Sequence, residues 1–238
     1  MRQPHDGGSA SHSPLPFGGA ISCGDALPGA VETNRRLSST VMRILIACEY
    51  SGIVRDAFIA QGHDAMSCDL LPTDAPGPHY QGDISIVLDQ NWDMLIAHPP
   101  CTYLCNSGVS HLHKDASRWL KLFEGADFFK MLLDSPIPKI CVENPVMHKY
   151  ARRLIGCGQT QIVQPWMFGH TESKATGLWL KGLPKLEETN NVKAEMMLLP
   201  DRERQRLHYL PPSPDRWKLR STTYAGIGDA MAKQWGSQ

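Results

Sequence analysis

Apolar and polar positions along the chain predict strands and helices in turn. Residues 43–47 (RILIA) are a short run, apolar from Ile44 onward, the mark of a strand buried on both faces. Residues 53–61 follow with apolar positions at helical spacing, and 64–69 (DAMSCD) make a second short strand that ends in an acid. A third apolar run, 94–97, stops at Pro99-Pro100. The stretch 116–134 carries apolar residues at i, i+3 and i+4 and predicts a long amphipathic helix. Residues 139–142 read as a further strand halted by Glu143-Asn144-Pro145, and 147–155 as a helix stopped by Gly156. Later apolar segments lie at 161–163 and 177–180. Strands alternating with helices predict an α/β domain, its mainly parallel sheet covered on both faces.

Residues 1–41 differ. They are rich in Gly, Ser, Pro and Ala without a hydrophobic period and read as a disordered leader or extension, with Met42 opening the first strand signal. The 238 residues, 42% hydrophobic and 20% charged, suffice for one well-cored domain, expected over 42–238. No apolar run approaches the ~20 residues of a membrane helix, and the N-terminus lacks a signal peptide's apolar core. The expectation is a monomer without a membrane partner, in the cytoplasm of a bacterial or phage-infected cell. Seven cysteines without a secretion signal read as reduced thiols, and their spacing offers no structural metal site. The formal net charge is zero, which counts against a dedicated nucleic-acid binder, although 139–153 and 202–220 are locally basic.

In a parallel sheet, ligands bind at the carboxyl ends of the strands, and the chemically interesting residues fall there. Cys48-Glu49-Tyr50-Ser51-Gly52 is a strand-to-helix turn of the type that admits a nucleotide-like cofactor, the following helix offering free N–H groups; a plain tight turn is the competing reading. Asp69, closing the second strand, is placed to accept ribose hydroxyls or to cap a helix. Asp83 adds an acid before the next element. Pro99-Pro100 stiffens the loop that presents Cys101, a candidate nucleophile or an inert buried thiol. Residues 106–114, with Ser107, read as a mobile loop over a site. Glu143 points from the same edge as Cys101.

Together these residues resemble the DNA (cytosine-5) methyltransferase family, over nearly all of 42–235. Pro99-Pro100-Cys101 matches the family's nucleophile loop and is its most specific signal. Glu143-Asn144-Pro145 matches Glu-Asn-Val. Cys48–Gly52 stands for the first cofactor loop, Phe-x-Gly-x-Gly, in altered form. Asp69 and Asp83 match the ribose and adenine acids. In Phe168-Gly169-His170-Thr171-Glu172-Ser173-Lys174-Ala175-Thr176, Glu172, Lys174 and Thr176 replace the family's Gln, Arg and Arg. Gly226-Ile227-Gly228-Asp229-Ala230-Met231-Ala232 resembles the closing cofactor motif, with Asp for Asn.

The resemblance implies a Rossmann-like S-adenosylmethionine-dependent methyltransferase fold with S-adenosylmethionine as cofactor and double-stranded DNA as partner. It assigns catalysis to Cys101, Glu143 and Lys174, and cofactor contact to Glu49, Tyr50, Ser51, Gly52, Asp69, Asp83, Pro99, Gly228 and Asp229. Between the Lys174 motif and the closing motif, family members insert a target-recognition region. Here about 45 residues, 180–224, fill that place, and the chain reads as a short member with a reduced region. Arg202, Arg204, Arg206, Arg216, Lys218 and Arg220 there, with Ser107, are the candidate DNA contacts. A cytosine-5 enzyme acting on RNA, an amino-methyltransferase and an inactive cofactor binder remain alternatives. The thiol in His98-Pro99-Pro100-Cys101, where amino-methyltransferases carry an aromatic residue, favours methylation at carbon.

Overall fold

The structure, a computed structural model, describes residues 40–237, so the leader expected over 1–41 falls almost wholly outside the described residues. Seven strands form one sheet: β1 (Arg43–Ala47), β2 (Asp64–Asp69), β3 (His79–Gln81), β4 (Met94–Ala97), β5 (Lys139–Pro145), β6 (Gln161–Val163) and β7 (Thr176–Lys181). Their order is β3-β2-β1-β4-β5-β7-β6. β7 is antiparallel to both its neighbours, and every other pairing is parallel. With helices on both faces this is the Rossmann-like S-adenosylmethionine-dependent methyltransferase fold. Among the described residues no helix is long and apolar enough to cross a membrane.

Among the described residues eight α-helices accompany the sheet: α1 (Ile53–Ala60), α2 (Ser117–Leu133), α3 (Lys149–Ile155), α4 (Lys193–Leu198), α5 (Asp201–Arg204), α6 (Arg206–Tyr209), α7 (Arg216–Ser221) and α8 (Ala225–Trp235). Successive strand residues face opposite sides, so the apolar runs feed two cores. Leu45, Leu95, Ile140 and Val142 pack under α2 and α3 through Leu122, Phe129, Leu132 and Ile155. Ile44, Ile46, Met94, Ile96 and Cys141 pack on the other face against Val54 and Phe58 of α1 and Ile227, Met231 and Trp235 of α8.

Two expectations are corrected. The strand predicted to halt at Glu143 runs on to Pro145, because β7 lies alongside and pairs Glu143 with Leu178, Asn144 with Gly177 and Pro145 with Thr176. Residues 106–114 are not a free loop. They form a 3-10 helix, Asn106–His111, and are pinned by the buried Leu112.

Candidate active site

The turn after β1 is shaped by its own side chains. Cys48 and Gly52 both adopt positive φ, 57° and 76°. At Gly52 a Cβ would lie 2.4 Å from the guanidinium of the wholly buried Arg55, so glycine is required there twice over, by conformation and by space. Arg55 in turn donates to Ser67, Thr73 and the carbonyls of Ala75 and Pro76, which ties this turn to the loop after β2. The free N–H groups expected at the start of α1 are taken. The buried Glu49 carboxylate accepts from Val54 N–H at 2.7 Å and Arg55 N–H at 3.2 Å, and Ser51 Oγ donates to it at 3.2 Å. Glu49 thus fills the anion position that a helix N-terminus creates.

Tyr50, standing where the resemblance calls for glycine, turns away from that helix. It is buried, and its hydroxyl bonds to the Lys218 carbonyl at 3.0 Å and to Ser221 Oγ at 3.1 Å. Its ring meets Trp217 at 5.7 Å, and the Lys218 ammonium stands 5.5 Å from the ring centre.

Asp69 and Asp83 converge from the ends of β2 and β3. Both raise the thiol pKa of Cys68, to about 11 after burial itself, and both act likewise on Cys48, which burial pushes up further. Asp69 Oδ1 accepts from Leu71 N–H and Asp83 Oδ1 from Ser85 N–H, each at 2.9 Å, and the Ser85 side chain also bonds to the Asp83 carboxylate. Such a pair of acceptors suits hydroxyl and amino donors of a nucleoside. Pro99 is buried at the adjoining end of β4. Gly228 lies elsewhere, at the crossing of α8 with Ile53 and Val54 of α1, and Asp229 is exposed on α8.

Cys101, Glu143 and Lys174 come together at the ends of β4, β5 and β7. The Cys101 thiol is held well above its ordinary pKa by a hydrogen bond with Cys105, by burial and by the charges of Cys105 and Glu143; only Lys174 acts the other way. Burial pushes Glu143 up, but the hydrogen bond with His98, the charge of His98 and Lys174 outweigh it, and the carboxyl ends below its usual range. Lys174 Nζ donates to the Arg220 carbonyl at 3.0 Å and lines a narrow cavity with His98 and Glu143. Ser107 is exposed, its hydroxyl 3.0 Å from Cys105 Sγ.

The basic segment is less free than its sequence suggests. Arg204 pairs with Asp201, Arg206 with Glu172 at 2.9 Å and Lys218 with Asp74 at 2.7 Å. Arg216 donates to the Leu210 carbonyl at 2.9 Å, and Arg202 lies 5.8 Å from the Tyr209 ring centre. Glu172, in the place of the family's glutamine, also accepts from the Tyr224 hydroxyl at 2.9 Å, so it joins α6 to the start of α8. The Arg204 carbonyl accepts from Ser173 N–H at 2.7 Å. Sequence reasoning assigned no role to His98, Cys105 or Tyr224. The signal for His98 was its place directly before Pro99-Pro100-Cys101.

No family model matches the chain, and no curated protein does. Solved structures with a similar fold include a DNA modification methyltransferase encoded within an Escherichia coli prophage, at 16% identity and TM-score 0.40 over 67% of this chain and 56% of that one. The Dnmt2 methyltransferase of S. pombe is similar at 16% identity and TM-score 0.38, over 74% of this chain and 61% of that one. A mutant DNMT2 of Spodoptera frugiperda is similar at 17% and 0.36, over 64% and 54%. The chain spans little more than half the length of these structures, and the likeness concerns fold alone.

Proposed function

We propose that the chain is an S-adenosylmethionine-dependent methyltransferase acting on carbon 5 of cytosine in DNA, with Cys101 as nucleophile. The observation that carries this reading is the meeting of a thiol and a buried carboxyl at the carboxyl edge of two adjoining strands, with one ammonium, Lys174, acting on both. Cytosine C5 is a poor nucleophile. Addition of the Cys101 thiolate to C6 moves electron density to C5 and N3, where Glu143 can meet it at N3 and the exocyclic amine. The base must leave the duplex to reach this edge, at a cost of a few kcal/mol.

S-adenosylmethionine, when bound, supplies an electrophilic methyl group. Asp69 and Asp83 fit its ribose hydroxyls and adenine amine, and Pro99 and the Cys48–Gly52 turn border the same edge. Cys101 is held neutral by Cys105 in the free protein, so catalysis requires that bond to be exchanged, with Lys174 stabilising the thiolate. Loss of the C5 proton then expels the thiolate.

The test is transfer of tritiated methyl from the cofactor to duplex DNA, single-stranded DNA and tRNA, with nucleoside analysis of the products. Label in 5-methyldeoxycytidine is expected. Label confined to an exocyclic amine or to RNA would replace this reading with an amino-methyltransferase or an RNA enzyme.

A further inference from the structure

His98 directly follows β4, its N–H donating to the Ala47 carbonyl at 2.9 Å, one residue ahead of the Pro-Pro that presents Cys101. Its side chain is 8% exposed, and Nδ1 lies 3.1 Å from Glu143 Oε2. Two acceptors do not approach so closely, so Nδ1 carries a hydrogen. The second ring nitrogen, Nε2, is buried without a hydrogen-bond partner among the described residues. The ring borders the narrow cavity walled by Glu143, Lys174, Thr176, Tyr224 and Met231. A buried polar atom left unpaired costs about 1–3 kcal/mol, which makes this histidine an unfavourable choice for a purely structural position.

We propose that His98 is a positioning residue that fixes the Glu143 carboxyl at the reacting base and supplies the proton that Glu143 passes to it. This rests on the reading of Cys101 and Glu143 as the site of addition to cytosine. Addition needs a proton at N3, and a carboxyl held below its usual range by its neighbours carries none at neutral pH. In the balanced step, Cys101 sulfur bonds to C6 and the C5=C6 pair becomes a C4=C5 bond. The C4=N3 pair moves to N3, which takes a proton relayed by Glu143: the His98 imidazolium gives its Nδ1 proton to the carboxylate, the carboxylate gives one proton to N3 and is left ionised, and His98 is left as the neutral tautomer protonated on Nε2. The proton returns by the same route when C5 takes the methyl group. The titratable groups that line the cavity with this ring are Glu143 on β5, Lys174 ahead of β7 and Tyr224 at the start of α8, whose hydroxyl is committed to Glu172.

Two measurements test the proposal. In protein labelled with ¹⁵N-histidine, the His98 ring should show a protonated Nδ1, assigned by its loss in His98→Gln. Its Nδ1–H resonance should shift in Glu143→Gln, as the loss of a charged hydrogen-bond acceptor requires. A bare Nδ1, or an Nδ1–H resonance unmoved by Glu143→Gln, overturns the pair without any substrate being present. In single-turnover methyl transfer to duplex DNA, His98→Gln should lower the rate at pH 7 about tenfold or more and move the alkaline limb of the pH profile to lower pH, with cofactor affinity unchanged. A His98→Gln profile that superimposes on the wild type after scaling overturns the proton role. Should the wild type transfer methyl only to an exocyclic amine, the functional reading has failed, whereas the imidazole Nδ1–H resonance still decides the pair.

Discussion

The two regions proposed to handle the nucleic acid are built in opposite ways. Cys101, His98 and Glu143 hang from β4 and β5, whose paired residues Leu95 with Ile140, Ile96 with Cys141 and Ala97 with Val142 are entirely buried. The segment between β7 and α8 is made of α4 to α7, helices of four to six residues, of which α5 and α7 bury nothing. Helices this short do not hold themselves together in water. They persist here through surface ion pairs and a few bonds to the domain. On the proposed reading, the groups that need fixed distances sit on the most deeply buried strands, and the groups that would grip a variable partner sit on short helices that bury little, which are expected to open more readily.

The largest effect expected is at the rigid end. Duplex DNA carrying 5-fluorocytosine at the target should form a denaturant-resistant adduct in the presence of cofactor. Cys101→Ser should abolish it, and Cys105→Ser should retain it. Adduct formation by Cys101→Ser but not by Cys105→Ser would assign the nucleophile to Cys105 and dissolve the rigid half of the contrast.

Next comes the joint between the regions. Tyr50→Ala removes a buried ring from under α7 and should lower stability by about 3 kcal/mol in chemical denaturation. Hydrogen exchange should quicken over 213–222 while β4 and β5 stay protected. Equal loss of protection in both would mean that they unfold as one unit. Smaller again is Asp69→Ala, expected to weaken S-adenosylmethionine binding by about 1–3 kcal/mol in calorimetry. Unchanged affinity in a folded variant would remove Asp69 from the ribose.

The smallest effects belong to the basic segment. Each well-held base contact is worth ~1–3 kcal/mol of discrimination, and helices this short hold few, so the recognition sequence should be about two base pairs, with binding steeply weakened by salt. Arg202→Ala should lower the salt slope by about one, and Arg206→Ala by less because its charge is already paired with Glu172. Bisulfite sequencing of a methylated plasmid tests the first point; a strict site of four base pairs or more would mean that the segment is far better ordered than its helices indicate.

The sheet was legible in the sequence where burial on both faces leaves an unbroken apolar run, at 44–47 and 94–97. β3 was not, because its three residues, His79, Tyr80 and Gln81, carry no such signal. The continuation of β5 was hidden for another reason: its partner β7 lies more than thirty residues away and runs backwards. The small helices have no period to read. Cys101, Glu143 and Lys174 were singled out by motif. The pairing of His98 with Glu143 spans 45 positions and follows only from the register of β4 against β5.

The segment between β7 and α8 is attached in part through its own backbone, beside the ion pairs of Arg206 with Glu172 and Lys218 with Asp74. Tyr50, Lys174 and Ser173 reach the carbonyl oxygens of Lys218, Arg220 and Arg204. Every amino acid offers that oxygen. Residues 202, 204, 206, 216, 218 and 220 are therefore open to substitution while these backbone bonds survive, at the loss of the two ion pairs at 206 and 218. A randomised library at those six positions should retain folded, cofactor-binding members at high frequency and yield variants with altered target preference. The same library placed at 94–101 should yield almost none.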